Sequence, residues 1–144
     1  MDALNRVALT PSSLETILSS CASQSDEEIC GLLAGKRQDD LAVIAEVLLV
    51  ENSLHSLTRF RMEPKGQISA INQIGEMGME LLGIFHSHPN GPIYPSATDL
   101  TEWYDDELPS FICACKDGRW TLLAFQKRER QIKKLPIIKI GRVS

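Results

Sequence analysis

Residues 81–99 read Leu81-Leu82-Gly83-Ile84-Phe85-His86-Ser87-His88-Pro89-Asn90-Gly91-Pro92-Ile93-Tyr94-Pro95-Ser96-Ala97-Thr98-Asp99. The apolar run Leu81–Phe85 predicts a buried strand that runs straight into two histidines. Side chains two apart on a strand point to the same side, so His86 and His88 share a face. Two imidazoles on one face are half of a tetrahedral zinc site, and a carboxylate can supply the third ligand. Asp99 stands eleven residues past His88, in the first turn of a short helix expected from Ser96 towards Tyr104. It could fold back to the strand's end, with Pro89, Pro92 and Pro95 restricting the loop between. Three protein ligands leave one coordination position open, which separates a catalytic zinc from a structural one. Two plainer readings stand beside this. Ser96-Ala97-Thr98-Asp99 also fits a helix capping arrangement with Ser96 as N-cap, and a His-x-His pair alone is a weak signal.

Outward from this stretch the chain alternates helices and strands. Pro11-Ser12-Ser13 is a helix start, followed by Leu14, Ile17, Leu18 and Cys21 at helical spacing. Ile29–Ala34 and Leu41–Val50 predict strands joined by a charged turn at Gly35–Asp40, and their nearly unbroken apolar runs suit a sheet covered on both faces. Asn52–Thr58 is a polar loop, and Thr58–Met62 a short strand halted by Pro64. Ile68, Ile71, Ile74 and Met77 then mark one face of a second helix. Phe111–Cys115 and Trp120–Phe125 flank an Asp117-Gly118 hairpin turn, and Ile132–Ile140 predicts one more strand. The expected fold is a single α/β domain over residues 1–144, a mixed β-sheet flanked by helices.

The motif as a whole resembles the signature of the JAMM (MPN+) zinc metalloprotease family: H-x-H-P, six residues, Ser, two residues, Asp. All four polar positions are filled here, by His86, His88, Ser96 and Asp99. The family also carries a Glu upstream of a Gly-Leu-Leu segment, and Glu28-Ile29-Cys30-Gly31-Leu32-Leu33 matches it. Glu27 is the rival, because a shift of one residue turns a strand side chain to the other face; the family spacing selects Glu28. The resemblance extends from about residue 5 to about residue 125 and implies a JAMM/MPN sandwich similar to that of cytidine deaminases.

It further implies Zn²⁺ held by His86, His88 and Asp99, Glu28 as the base that takes a proton from water, and Ser96 donating to the oxyanion. The substrate class implied is an amide or isopeptide bond after the C-terminal glycine of a ubiquitin-like or sulfur-carrier β-grasp protein. The substrate tail would add a strand to a sheet edge beside the motif. Such short family members are stand-alone prokaryotic enzymes, and a homodimer is left open.

Composition narrows the classes. The 144 residues are 43% hydrophobic and 24% charged, ordinary for a globular domain. The longest apolar stretch, Leu41–Val50, is ten residues and holds Glu46, too short to span a bilayer. No signal peptide is visible in Met1–Arg6, and Cys21, Cys30, Cys113 and Cys115 contain no CxxC pair. Packed thiols in a reducing cytoplasm are the expectation. Residues 1–115 hold 6 basic and 17 acidic side chains, whereas residues 116–144 hold 9 and 2, so −11 and +7 sum to the net −4. The basic end raises a second reading, a RadC-like nucleic-acid-associated protein. The pI near 5.4 and the absence of aromatics among Lys127, Arg128, Arg130, Lys133 and Lys134 oppose it. A third reading, a non-catalytic MPN scaffold, is opposed by the intact ligand positions.

Overall fold

The computed structural model describes residues 3–103, 105 and 107–140. Tyr104, expected near the end of the motif helix, lies outside them. In chain order the elements are β1 (Arg6–Leu9), α1 (Pro11–Ser23), β2 (Cys30–Gln38), β3 (Leu41–Val50), α2 (Pro64–Glu76), β4 (Glu80–His88), α3 (Ala97–Thr101), β5 (Ser110–Lys116), β6 (Arg119–Arg128), β7 (Gln131–Leu135) and β8 (Ile137–Lys139). The strands form one mixed sheet in the order β7-β6-β5-β4-β2-β3-β1-β8. β4 lies antiparallel to β2 and parallel to β5, so the α/β expectation of a mixed sheet with flanking helices holds.

Local chemistry sets the element ends. Thr10 caps α1 by accepting from the Ser13 amide, with Pro11 in the first turn, where a missing N–H costs nothing. Glu63 caps α2 in the same way, accepting from the Lys65 and Gly66 amides. At the β5–β6 hairpin Asp117 and Gly118 take φ of 53° and 77°, the left-handed pair that a two-residue hairpin turn requires.

Four expectations need correction. The turn after β2 is only Asp39-Asp40, because the ladder with β3 runs on to Gln38 opposite Leu41. A bulge between Ala34 and Gly35 lets it continue; a Cβ at Gly35 would stand 1.8 Å from the Val43 carbonyl oxygen. Thr58–Met62 is not a strand, since its only ladder contact is an isolated bridge between Met62 and Asn52. Of the four apolar positions on α2, only Ile74 is buried, together with Ala70. A spacing of three residues falls about 60° short of a full turn, so the row winds round the helix and leaves Ile68 61% exposed. Finally, Ile132–Ile140 is two strands. Pro136 has no N–H to continue a ladder, and its carbonyl instead accepts from the Val7 amide.

That break shapes the fold. β7 pairs with β6 at one end of the sheet and β8 with β1 at the other, yet one residue separates them. The two ends of the sheet therefore meet, and the sheet curls around α1. Ile17 and Cys21 of α1 pack there with Val7, Ile44, Phe85, Phe111, Ala124 and Leu135. α2 covers the opposite face, over Cys30, Leu32, Ala34 and Val50. None of the described helices is long and apolar enough to cross a membrane.

Candidate metal centre

β4 runs between β2 and β5, and the histidine side chains at its C-terminal end share the sheet face that α2 covers. Cys30 stands opposite His86. One step further out, the Ser87 amide donates to the Ile29 carbonyl and the Ile29 amide donates to Ser87 Oγ, each at 2.9 Å. The antiparallel register carried through this pair sets Glu28 opposite His88, on the face that His86 shares. Glu27 turns the other way, and its carboxylate accepts from His55 Nδ1 at 3.0 Å. The shift of face that distinguishes Glu27 from Glu28 is therefore realised.

Asp99 arrives from α3. Its amide donates to Ser96 Oγ at 3.0 Å, and its Oδ2 accepts from the Ser96 amide at 2.8 Å, a complete capping box. The plain capping reading and the site reading are thus one geometry: the box aims Oδ2 at the histidines. Asp99 Oδ2 stands 3.1 Å from His86 Nε2 and 3.0 Å from His88 Nε2, which are 3.1 Å from each other. With Glu28, one ligand atom from each of the four residues lies within 4.8 Å of the others, all buried.

The proton count shows what this triangle suits. His88 Nδ1 lies 2.7 Å from the Pro92 carbonyl oxygen, which can only accept. The Nδ1 proton is therefore committed, and neutral His88 presents a bare lone pair at Nε2. Asp99 Oδ2 brings a second lone pair to the same point. Glu28 Oε1 and His86 Nδ1 are buried without a hydrogen-bond partner. Bonds of 2.0–2.2 Å to a tetrahedral zinc place ligand atoms about 3.3 Å apart. The spacing here, the mixture of imidazole and carboxylate, and the orphaned Glu28 oxygen fit a buried cation.

Protonation equilibria follow from the same crowding. Burial pulls the His86 imidazole below its ordinary value, keeping it neutral. Burial pulls His88 down as well, but Asp99, the Pro92 carbonyl and Glu28 together raise it above its ordinary value. Asp99 would be lifted by burial; its hydrogen bonds with the imidazoles and the Ser96 amide outweigh that and hold it well below the carboxylate range. Burial pushes Glu28 up to about 8, against the opposing pull of His88. Cys30, the neighbouring thiol, is pushed to about 12 by burial and the nearby glutamates, so it is no nucleophile.

Several residues that shape the site carried no motif signal. Phe60 stacks on His86, with centroids 4.5 Å apart and planes at 22°. Asn52 is buried in what reads as a solvated loop. Ser87 is the x of H-x-H, and strand alternation alone sends its side chain to the opposite face from the histidines. β4 is paired on both sides, by β2 and β5, so the motif strand itself is not a sheet edge.

Comparison with known proteins agrees with this geometry. Residues 10–126 match the family described as prokaryotic homologs of the JAB domain. A desampylase of Pyrococcus furiosus is 36% identical over 78 residues, 54% of this chain and 53% of that one. A desampylase of Haloferax volcanii is 29% identical over 122 residues, 81% of this chain and 86% of that one. A "probable TtuB-protein conjugate cleaving protease" of Thermus thermophilus is 34% identical over 80 residues, 55% of this chain and 51% of that one. The alignments thus span about half the length of the first and third of these relatives. The solution structure of a Desulfitobacterium hafniense protein superposes with a TM-score of 0.86 at 28% identity, covering 95% of this chain and 94% of the other. The matched region contains Glu28 just ahead of β2, both histidines at the end of β4 and Asp99 in α3, and the chain belongs to the prokaryotic homologs of the JAB domain.

Proposed function

We propose that this protein is a zinc-dependent hydrolase that cleaves the amide or isopeptide bond after the C-terminal glycine of a ubiquitin-like or sulfur-carrier β-grasp protein. One observation carries the reading: Glu28, His86, His88 and Asp99 converge within 4.8 Å in a buried cluster. The names of the relatives, desampylases and a TtuB-conjugate cleaving protease, supply the substrate class. His86 Nε2, His88 Nε2 and Asp99 Oδ2 would hold the zinc. Bound there, it supplies Lewis acidity that acidifies a water and polarises the scissile carbonyl.

The chain's own groups do the remaining work. Glu28 Oε1, buried and unpartnered, accepts a proton from the attacking water and later delivers it to the leaving amine. A carboxylate whose proton affinity is raised by burial is suited to both transfers. Ser96 Oγ spends a lone pair on the Asp99 amide, and its hydroxyl proton donates to the carbonyl oxygen as charge develops there. The Pro92 carbonyl holds His88 in the tautomer that directs Nε2 inward. The four free cysteines suit a cytoplasmic setting.

The test is incubation of zinc-loaded protein with a ubiquitin-like domain fused through its C-terminal glycine, beside Glu28→Gln. Wild type releases the domain, whereas Glu28→Gln retains zinc and does not. Equal cleavage by the two would sink the mechanism.

A further inference from the structure

We infer that Asn52 is a positioning residue for Glu28, acting through the backbone that carries the proposed base. This rests on the reading of Glu28 given above. Asn52 is 2% exposed, and its amide group makes four hydrogen bonds. Nδ2 donates to the Glu28 carbonyl at 2.9 Å and to the Arg59 carbonyl at 3.0 Å. Oδ1 accepts from the Leu54 amide at 3.1 Å and the Arg61 amide at 3.0 Å. An amide side chain has two donor hydrogens and two acceptor lone pairs, and all four are used.

The consequence is geometric. Glu28 precedes the first residue of β2, so the β2 ladder does not hold it directly. Its amide donates to the Ser56 carbonyl at 2.7 Å, and its carbonyl accepts from Asn52. Both backbone groups of Glu28 are therefore held by the loop of residues 52–61, and Asn52 ties together the two sides of that loop. The same loop carries Phe60, which stacks on His86. One buried amide thus sets the base and the ring support of a histidine in a common frame. Misplacing a catalytic group by about 1 Å can lose about 100-fold in rate.

Asn52→Asp separates this role from packing, because it keeps the shape and the acceptors but removes both donors. In metal-free protein, amide hydrogen exchange followed by NMR speeds up at Glu28 by about tenfold or more, while amides within β4 are unchanged. In zinc-loaded protein kcat falls by about 100-fold, whereas KM and zinc affinity stay within about threefold of wild type. Added to Glu28→Gln, the substitution lowers the remaining rate no further, since the group it positions is already gone. Should Asn52→Asp fail to fold, Asn52→Ser takes its place in the same measurements. Unchanged exchange at Glu28, wild-type kcat, or multiplying losses in the double variant would each overturn the inference. Failure of the wild type to cleave, or a Glu28→Gln variant as active as wild type, overturns the functional reading instead, and the exchange measurement still decides the role of Asn52.

Discussion

Ser87 Oγ accepts the Ile29 amide proton at 2.9 Å, and the Ser87 amide returns the bond to the Ile29 carbonyl. This reciprocal pair, between the two histidines on one side and beside Glu28 on the other, fixes which residue of the segment leading into β2 faces His88. Ser87 is fully buried, so losing its hydroxyl strands a backbone donor away from water. Ser87→Ala is expected to lower stability by about 1–3 kcal/mol. Urea unfolding of the two proteins measures it, and equal midpoints would show that the Ile29 amide finds another acceptor.

Two imidazole nitrogens and a carboxylate oxygen converging at 3.0–3.1 Å predict that metal binding and folding are linked. With free zinc at about 1,000 times its dissociation constant, the native state gains about 4 kcal/mol, about 10 °C in melting temperature for a domain of this size. Asp99→Asn keeps an oxygen for the Ser96 amide, and hence the cap, but removes the anion between the histidines. Scanning calorimetry with zinc and with chelator should show a large shift for wild type and almost none for the variant. A similar shift in both would place the ion elsewhere.

The helix face expected from the sequence and the one observed agree on Ile74 and differ over Ile68. Ile68 is 61% exposed and Ile74 3%. Ile74→Ala should cost about 2–5 kcal/mol, and Ile68→Ala no more than about 0.5 kcal/mol. Chemical denaturation of both variants decides it; comparable losses would restore the face read from the spacing.

What could be read without coordinates follows from which interactions are local. The clustering of His86, His88 and Asp99 was legible because strand alternation and a helix cap are both short-range rules: His86 and His88 share a face by period two, and Ser96-x-x-Asp99 closes its own box. Glu28 was legible only through resemblance, and the physical reason for it, the Ile29–Ser87 pair, joins residues 58 apart in sequence. Asn52 gave no signal at all, since a polar residue in a polar stretch looks solvated until its four partners are seen. Pro136 lacks the N–H a ladder needs, but the apolar run on both sides of it masks the break between β7 and β8. The strand β1 is four residues long and is defined by its parallel neighbours β3 and β8, which no local pattern reveals.

The last prediction concerns pH in the absence of metal. Burial raises Glu28 from an ordinary 4.5 to about 8, so between those values the native state holds a proton that the unfolded chain has released. Stability then falls as pH rises, because the unfolded state binds fewer protons than the native one. This contribution is absent below pH 4.5, grows through the window, and levels off above about 8. Glu28→Gln cannot lose that proton. In chelator-treated samples the stability of Glu28→Gln relative to wild type should therefore increase from pH 5 to pH 8. Urea unfolding across that range measures the difference. A gap independent of pH would mean that Glu28 titrates normally and is reached by water. Saturating zinc should shrink the gap, because a cation beside the carboxylate favours its charged form.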